Sequence, residues 1–388
     1  MHISAFFRNV RVLQILAQII FVLLLALAAG FLYANVSTNL ARQGLAVGYD
    51  FITNPASFDI GESHIPFEAS DNYGRALLVG LVNTLVVSAL GIVLTTIVGV
   101  IAGIARLSSN WLISRLAAAY VGVIRNTPLI IQLAFWYFGI ILKLPPVRNA
   151  VALPGSIFLT QRGVYLPWYE PLPAFDSWRI YVWIALVSIA AIWFIFRLIQ
   201  NRSDLPPPLW SYSAYLLVPV LILWVGYVIQ PEPPFMANFP ELAGLNFRGG
   251  LRFTPEFAAL LFGLVVYTGA FIAEVVRAGI QAVSHGQVEA ARSLGLTSAQ
   301  ALRLIIFPQA LRVIIPPLTS QYLNLAKNSS LAIAIGYPDL FSVAGTVINQ
   351  TGATIEVIVI MMLSYLSMSL FTSLLMNIYN SRMRLVER

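Results

Sequence analysis

The sequence contains no cysteine and few charged residues. The absence of cysteine excludes disulfides, zinc–thiolate sites and cysteine nucleophiles. Only 10% of the 388 residues are charged, whereas 59% are hydrophobic, and the mean hydropathy is +0.80. Soluble domains carry about 25% charged residues, and a chain this apolar could not cover its surface in water. The composition therefore predicts a protein that lies in a lipid bilayer.

Patterns typical of catalysis, metal binding and nucleotide binding are also missing. The three histidines lie far apart and none has a metal-ligand spacing: His2, His64 and His285. No G-x-x-x-x-G-K-[ST] string occurs, so this chain cannot bind nucleotide phosphates by that device, and we expect it to bind no cofactor. The net charge of +7 does not form a basic face, which argues against a nucleic-acid partner. We therefore expect neither catalytic residues nor a metal site.

Apolar runs of membrane-spanning length occur at eight positions. A membrane helix needs about 20 apolar residues, and lipid forces such runs to be helical because their backbone groups must bond internally. The predicted spans are approximately 12–33, 77–105, 116–142, 180–196, 212–229, 257–280, 309–325 and 355–379. The first run is longer than the apolar core of a signal peptide, so we interpret it as a retained span. The predicted fold is an all-α integral membrane protein with about eight transmembrane helices.

The distribution of charge predicts the orientation of these spans. With the N-terminus inside, the inner segments carry thirteen basic and three acidic residues. The outer segments then carry eight basic and eleven acidic residues. Because cytoplasmic loops collect Lys and Arg, both termini are predicted to be cytoplasmic. An ion-coupled secondary transporter would need several carboxylates in its central spans, but only Glu274 qualifies and it lies near a span end. An intramembrane enzyme would need a catalytic constellation, and the spans contain none.

Three of the predicted outer segments are long. Segment 34–76 is acidic, whereas segments 143–179 and 230–255 are rich in proline. We expect these segments to lie flat or to pack on the outer mouth of the protein.

The inner segment 284–308 has the signals of two short helices that meet at an angle. Ser284 with Gln287, and Thr297 with Gln300, each match a capping-box pattern that starts a helix. Gly295, between them, suits the left-handed residue that ends a helix. A proline follows the second helix at position 308, where it either ends that helix or begins the next span.

Small and apolar residues are expected on the surface of this segment. The small residues are Ala290, Ala291 and Gly295, and the apolar ones are Leu294, Leu296, Leu302 and Ile305. Small side chains allow another surface to approach closely, and apolar ones add contact area. A helix pair of this kind favours docking into a groove of a partner protein.

The same segment resembles the EAA loop of binding-protein-dependent ABC importer permeases. The residues that carry the resemblance are Glu289, Ala290, Ala291, Gly295, Ile305 and Pro308. Phe307 replaces the leucine that is usual in the family. In that family the loop is a coupling helix that inserts into a cleft of the ATPase subunit, so the resemblance implies this role for 284–308.

Three further strings resemble the polar amino-acid branch of that family. They are Arg125-Asn126-Thr127-Pro-Leu-Ile-Ile-Gln132, with Asn126 replacing a glycine, Ala273-Glu274-Val-Val-Arg277, and Leu325-Ala-Lys327-Asn328-Ser329-Ser330-Leu331. The resemblance covers residues 77–142 and 257–379, and it implies a five-span permease core. The chain would then divide into 1–76 (an added span and outer loop), 77–142 (core), 143–256 (an inserted helical hairpin with its outer loops) and 257–388 (core with the coupling loop). A large insertion at this place resembles the longer permeases of general L-amino-acid transporters.

The resemblance implies function, partners and location together. The expected function is that of a permease subunit that translocates amino acids through the bacterial inner membrane. The expected partners are a cytoplasmic ABC ATPase dimer, which would bind ATP and Mg²⁺, a second and non-identical permease, and a periplasmic amino-acid-binding protein.

Several residues have two interpretations at this stage. Glu274 and Arg277 form either a structural i, i+3 pair or a gating element. Segment 327–330 is either a capped helix break or part of the pathway lining. Tyr267 either faces the same cavity or bonds within helix packing. Arg125, Asn126 and Thr127 complete the set of candidate pathway or gating residues.

Overall fold

The computed structural model describes residues 10–42, 48–200 and 209–383, and helices dominate this part of the chain. The helices are α1 (Val10–Arg42), α2 (Tyr73–Ala105), α3 (Trp111–Arg125), α4 (Leu129–Ala134), α5 (Phe175–Gln200), α6 (Leu209–Ile229), α7 (Pro255–Gln281), α8 (His285–Ser293), α9 (Ser298–Ala301), α10 (Phe307–Asn328), α11 (Leu340–Thr351) and α12 (Thr354–Met383). Helical structure therefore occurs at every predicted span. The predicted cytoplasmic termini concern residues 1–9 and 384–388, which lie outside the described ranges.

Six of the described helical segments are long and apolar enough to cross a membrane. They are Leu13–Val36, Tyr73–Ala105, Phe175–Ile199, Pro255–Gln281, Leu302–Ile335 and Thr354–Ile378. A seventh span results if the bent pair Trp111–Arg125 and Leu129–Lys143 crosses as one unit, and the apolar stretch of α6, Ser213–Ile229, is shorter. The helical membrane architecture is therefore confirmed, but length and composition support six or seven spans rather than eight.

The predicted span over 116–142 is not a single continuous helix. Trp111–Arg125 and Leu129–Lys143 meet at an angle of 106°. The bend lies at Pro128, which has no N–H to continue the helical ladder and disfavours a helical conformation in the residue before it. A π-helical turn, Phe135–Ile140, and a 3₁₀ turn, Ile141–Lys143, follow α4.

Helices α2 and α7 pack closely through two glycines. A Cβ atom added at Gly99 would lie 2.4 Å from Ile272 Cγ2, and one added at Gly103 would lie 2.8 Å from the carbonyl oxygen of Ala273. The two glycines are four residues apart, which is the small-xxx-small spacing that lets membrane helices approach. Since apolar side chains gain little from burial when lipid is the alternative, such contacts hold the spans together.

Part of the acidic segment 34–76 folds onto the neighbouring helices. Helix α2 begins at Tyr73, where Asn72 caps it by accepting the backbone N–H of Arg75 at 2.8 Å. Ala56 and Tyr73 are buried in one cluster with residues of α11 and α12. The backbone N–H of Gly48 donates to Oε1 of Glu356 at 3.0 Å. The segment is therefore packed, as expected, and α1 extends the first predicted helix to Arg42.

Short strands occupy the two proline-rich segments, where only loops were expected. The strands are β1 (Val151–Leu153), β2 (Ile157–Thr160), β3 (Gly163–Leu166), β4 (Trp168–Pro171), β5 (Phe235–Asn238), β6 (Glu241–Ala243), β7 (Asn246–Arg248) and β8 (Leu251–Phe253). They form an antiparallel sheet in the order β1-β2-β3-β8 and two strand pairs, β4-β5 and β6-β7. Strands of three or four residues are too short for a period-2 pattern, which explains why they were missed.

The described residues divide into two compact units. One comprises Met1–Leu133 with Leu260–Arg388, and the other comprises Ala134–Ala259. The second unit contains the eight described strands and the hairpin of α5 and α6, in which Nε1 of Trp178 donates to the carbonyl of Leu223 at 3.3 Å. The candidate functional residues lie in the first unit.

Candidate functional site

Segment 284–308 begins with helix α8, and Ser284 is its N-cap residue. The predicted capping box at this end is wrong, because the Ser284 side chain makes no capping hydrogen bond. Oε1 of Gln287 instead accepts a hydrogen bond from Nε2 of Gln309 at 3.3 Å. Gln287 therefore ties α8 to α10 and does not close the helix start.

The end of α8 is a Schellman motif centred on Gly295, which confirms the predicted left-handed residue. Gly295 has φ = 74°. Its N–H donates to the carbonyl of Arg292 at 2.9 Å, and the N–H of Leu296 donates to the carbonyl of Ala291 at 3.1 Å. These two bonds satisfy carbonyls that the helix itself leaves unpaired. The motif reverses the chain direction within a few residues.

The predicted capping box at the second helix is confirmed. The N–H of Thr297 donates to Oε1 of Gln300 at 2.9 Å, and the N–H of Gln300 donates to Oγ1 of Thr297 at 3.3 Å. Helix α9 then continues through a π-helical turn, Leu302–Ile306, into α10. Pro308 thus belongs to the first turn of α10, and the π-helical turn directly before it changes the regular helical hydrogen bonding at this place.

The surface of the segment differs from the prediction at one position. Glu289, Ala290 and Gly295 are exposed, but Ala291 is completely buried. Leu294 is 77% exposed, whereas Ile305 and Pro308 are half-buried. Further apolar side chains at positions 302 and 304 are also exposed. The alanine pair therefore has two roles, one side chain packing inside the segment and the other lying on its surface.

Glu274 lies at the centre of a cluster of three arginines. Arg277, on the same helix, donates from Nε to Oε1 of Glu274 at 3.2 Å. Arg106, which caps the end of α2, also bonds to this carboxylate, and Nη1 of Arg125 lies 3.7 Å from Oε2. The guanidinium of Arg125 lies over the ring of Phe271 at 5.1 Å. The predicted pair is thus part of a larger cluster contributed by three helices.

Residues 125–132 build the bend between α3 and α4. Asn126 donates to the carbonyl of Gly122 at 2.7 Å, and the hydroxyl of Thr127 donates to the carbonyl of Val123 at 2.9 Å. The buried side chain of Gln132 donates from Nε2 to the carbonyls of Ile124 and Thr127, both at 2.9 Å. Asn126 and Thr127 therefore bond locally to α3, and Gln132 holds the bend closed.

The polar segment 327–330 lies where α10 passes into a 3₁₀ helix, Ser329–Ile335. Ser329 is buried and donates to the carbonyl of Ala326, while Ser330 donates to the carbonyl of Lys327 at 2.8 Å. Asn328 is half-buried. The helical conformation continues through the segment, so the predicted break is a change of helix type.

Two of these residues line a cavity of about 390 Å³. Its walls comprise Lys327, Ser330, Phe341, Met361, Met362 and Tyr365. The ammonium of Lys327 has no hydrogen-bond or ion-pair partner within the described ranges. Tyr267 is not among these lining residues, and its ring contacts Phe271, with the two centroids 5.0 Å apart. The structure therefore brings Lys327 and Ser330 together at a cavity and places Tyr267 elsewhere.

Asp339 was not predicted from the sequence as a candidate residue. It is completely buried and caps α11 by accepting the N–H of Ser342 at 2.9 Å. Its Oδ2 also accepts a hydrogen bond from the hydroxyl of Tyr365 at 3.3 Å, so it contacts a wall of the cavity. Burial raises the pKa of Asp339 from 3.8 to about 6. Its position just before an apolar helical run was the sequence signal that could have identified this cap.

The chain matches one protein family and is similar to several proteins over nearly its full length. Residues 206–385 match the family described as binding-protein-dependent transport system inner membrane component. The putative amino-acid ABC transporter permease protein YhdX of Escherichia coli is 46% identical over 99% of this chain and 98% of that protein. The general L-amino acid transport system permease protein AapQ of Rhizobium johnstonii is 45% identical over 95% of this chain and 92% of that protein. The permease protein BztB of Rhodobacter capsulatus, from a glutamate/glutamine/aspartate/asparagine transport system, is 38% identical over 100% of this chain and 97% of that protein.

Proposed function

Since this chain belongs to the binding-protein-dependent transport system inner membrane components, as an amino-acid ABC transporter permease subunit, we propose that its segment 284–308 docks on the ATPase subunit. It is a transporter subunit and not an enzyme, and in such systems the ATPase is a separate subunit. In this proposal ATP and Mg²⁺ act on that partner, and the two capped helices transmit its movement to the spans.

The exposed carboxylate of Glu289 is the observation that best supports this role. It has no hydrogen-bond or ion-pair partner within the described part of the chain. Ala290 beside it is exposed and small, so a partner surface can approach the helix backbone closely. An exposed Leu294 adds apolar contact area one turn later. A rigid, capped helix with these features fits a groove of a partner protein.

We further propose that Lys327 and Ser330 lie on the amino-acid pathway. An ammonium without a protein partner, beside a cavity, is placed to attract the carboxylate of an amino acid. The cavity lies between α10 and α12, and α10 begins directly at the end of the docking segment. Movement of that segment would therefore change the cavity walls. Arg125 and Glu274, in the cluster at the end of α7 that leads into the docking segment, would lock one of the two alternating states.

The proposed complex contains two permeases, an ATPase dimer and an external binding protein. The second permease is proposed to be non-identical, by analogy with systems in which one subunit carries added segments. The chain is a multi-pass membrane protein, and we propose that it resides in the bacterial inner membrane with both termini cytoplasmic. The name of BztB suggests acidic amino acids and their amides as substrates to be tested first.

Substitution of Glu289 tests the docking role. We expect Glu289→Gln to lower substrate-stimulated ATP hydrolysis and amino-acid uptake at least severalfold in reconstituted complexes. Glu232→Gln, the same chemical change at an exposed position of the other unit, serves as the control and should leave both activities unchanged. Wild-type levels of both ATP hydrolysis and amino-acid uptake in the Glu289 variant would exclude the proposed role.

Substitution of Lys327 tests the pathway. We expect Lys327→Gln to raise the KM for uptake while substrate-independent ATP hydrolysis is retained. Lys143→Gln, which changes the other lysine of the chain, should have no effect. An unchanged KM in the Lys327 variant would remove this residue from the pathway without affecting the docking proposal.

A further inference from the structure

The cluster around Glu274 carries an excess of positive charge. One carboxylate faces the guanidinium groups of Arg106, Arg125 and Arg277, so the net charge of the four side chains is +2. The side chains are partly buried, with exposures of 26% for Glu274 and 20%, 39% and 28% for the three arginines. Like charges at short range repel more strongly where water is partly excluded. A second anion would therefore stabilise this arrangement.

Two of the arginines have unused hydrogen-bond donors. A guanidinium carries five N–H groups in a planar fork. Arg106 bonds to Glu274 through Nη1 alone. Arg125 contacts the same carboxylate at 3.7 Å, beyond hydrogen-bond distance, and otherwise stacks on Phe271. Arg277, in contrast, uses Nε and both Nη atoms on Glu274 and Gln281. The free donors are thus on Arg106 and Arg125, in the described structure.

The position of the cluster is at the boundary of the membrane spans. Arg106 directly follows the apolar helix α2, and Glu274 lies two turns before the end of α7, from which segment 284–308 emerges. Helix α3 connects the two arginines along the chain and exposes a stripe of apolar side chains. Leu112, Leu116 and Val123, on this stripe, are 57%, 62% and 64% exposed. Their spacing of four and seven residues places them on one face of the helix, and a rotation of about 100° per residue places Arg125 on the opposite face.

We propose that Arg106 and Arg125 bind the phosphate of an anionic phospholipid headgroup. Arginine forks match phosphate geometry and form charge-assisted hydrogen bonds. Basic pockets between helices, at the ends of membrane spans, are suited to such headgroups. The exposed apolar face of α3, on the side of the helix away from Arg125, offers a surface to the acyl chains of the surrounding bilayer. An acidic side chain of a partner protein would also supply the charge, but the position of the cluster at the ends of apolar helices favours a headgroup.

Measurement of bound lipid in the intact transport complex tests the site. The complex is purified in detergent and titrated with phosphatidylglycerol or with zwitterionic phosphatidylcholine, and bound lipid is counted by native mass spectrometry. We expect wild-type complexes to retain phosphatidylglycerol in preference to phosphatidylcholine. Arg106→Gln and Arg125→Gln should each weaken its binding about tenfold, as expected for the loss of a charged hydrogen-bond donor. Arg148→Gln removes the same charge at an exposed position of the other unit and should not change binding.

Two additional measurements separate the alternatives. Arg125→Lys keeps the charge but loses the planar fork, so we expect binding between that of wild type and the glutamine variant. Inorganic phosphate is added as a competitor; if it displaces phosphatidylglycerol at comparable concentration, the site is a phosphate site and the lipid is not its specific ligand. Equal lipid retention by wild type and both glutamine variants, with all complexes intact by size-exclusion chromatography, would overturn the proposal. So would a cross-link from Arg125 to an acidic residue of the ATPase together with no lipid preference.

Discussion

Thr297 and Gln300 cap each other at the turn of the proposed docking segment. Each residue's side chain accepts the backbone N–H of the other, at distances of 2.9 and 3.3 Å. Helix α9, which begins immediately afterwards, has only four residues before the π-helical turn. So short a helix cannot form on its own, and its start depends on this cap. The pair therefore sets the direction in which the chain leaves Gly295 and enters α10.

Loss of this cap should weaken the stimulation of ATP hydrolysis by substrate. Thr297→Ala removes one side of the capping box, and N-cap losses cost about 1 kcal/mol of helix stability. We expect substrate-stimulated ATP hydrolysis to fall severalfold while the complex still assembles. Thr297→Ser retains the hydroxyl and should behave as wild type. An alanine variant with normal stimulation would show that the cap is not needed for coupling.

The left-handed conformation of Gly295 should make this position intolerant of alanine. A Cβ atom there would meet no atom within 4 Å, so the cost arises from the backbone at φ = 74°. That cost is about 1–2 kcal/mol for an L-residue. Gly286, on the same segment, also has open space but no positive φ, so Gly286→Ala is the matched control. We expect Gly295→Ala to lower amino-acid uptake and Gly286→Ala to leave it unchanged. Gly295→Asn should restore part of the uptake, since asparagine tolerates the left-handed conformation better than alanine.

Gln132 should be needed for the bend between α3 and α4. Gln132→Leu removes a side-chain donor from two carbonyl groups; that of Ile124 keeps the backbone N–H of Thr127, whereas that of Thr127 loses its side-chain partner, and a buried polar group left unpaired costs about 1–3 kcal/mol. We expect a clear decrease in the melting temperature of the purified protein. Asn126→Gly changes an exposed side chain at the same bend. Glycine is the residue usual at this place in the family string that 125–132 resembles, so this variant should be tolerated. Equal melting temperatures for wild type and Gln132→Leu would contradict this role.

Asp339 should make the stability of the protein depend on pH. Because burial raises its pKa to about 6, the folded protein binds the proton more tightly than the unfolded chain does. The stabilisation is therefore complete below about pH 4, is lost as the pH rises to about 6, and changes no further above that. Asp339→Asn should flatten this part of the melting-temperature profile while still capping α11. The same slope in variant and wild type would show that another group causes it.

Local sequence signals determined much of this structure. The apolar runs predict the spans because lipid leaves each segment no alternative to helix. The turn in segment 284–308 was also predictable, since Gly295 and the capping box act within a few residues of chain. Sequence also carried the resemblance to the permease family. The family assignment agrees with that resemblance. The roles of the site residues and the identity of the partners do not follow from the resemblance.

Tertiary structure decided which distant groups meet. Arg106 and Glu274 are 168 positions apart, and only the packing of α2 against α7 through Gly99 and Gly103 brings them together. Whether an alanine is buried or exposed likewise depends on the neighbouring helix, which is why Ala290 and Ala291 could not be distinguished in advance. Such contacts depend on geometry in three dimensions, and chain periodicity carries no information about them.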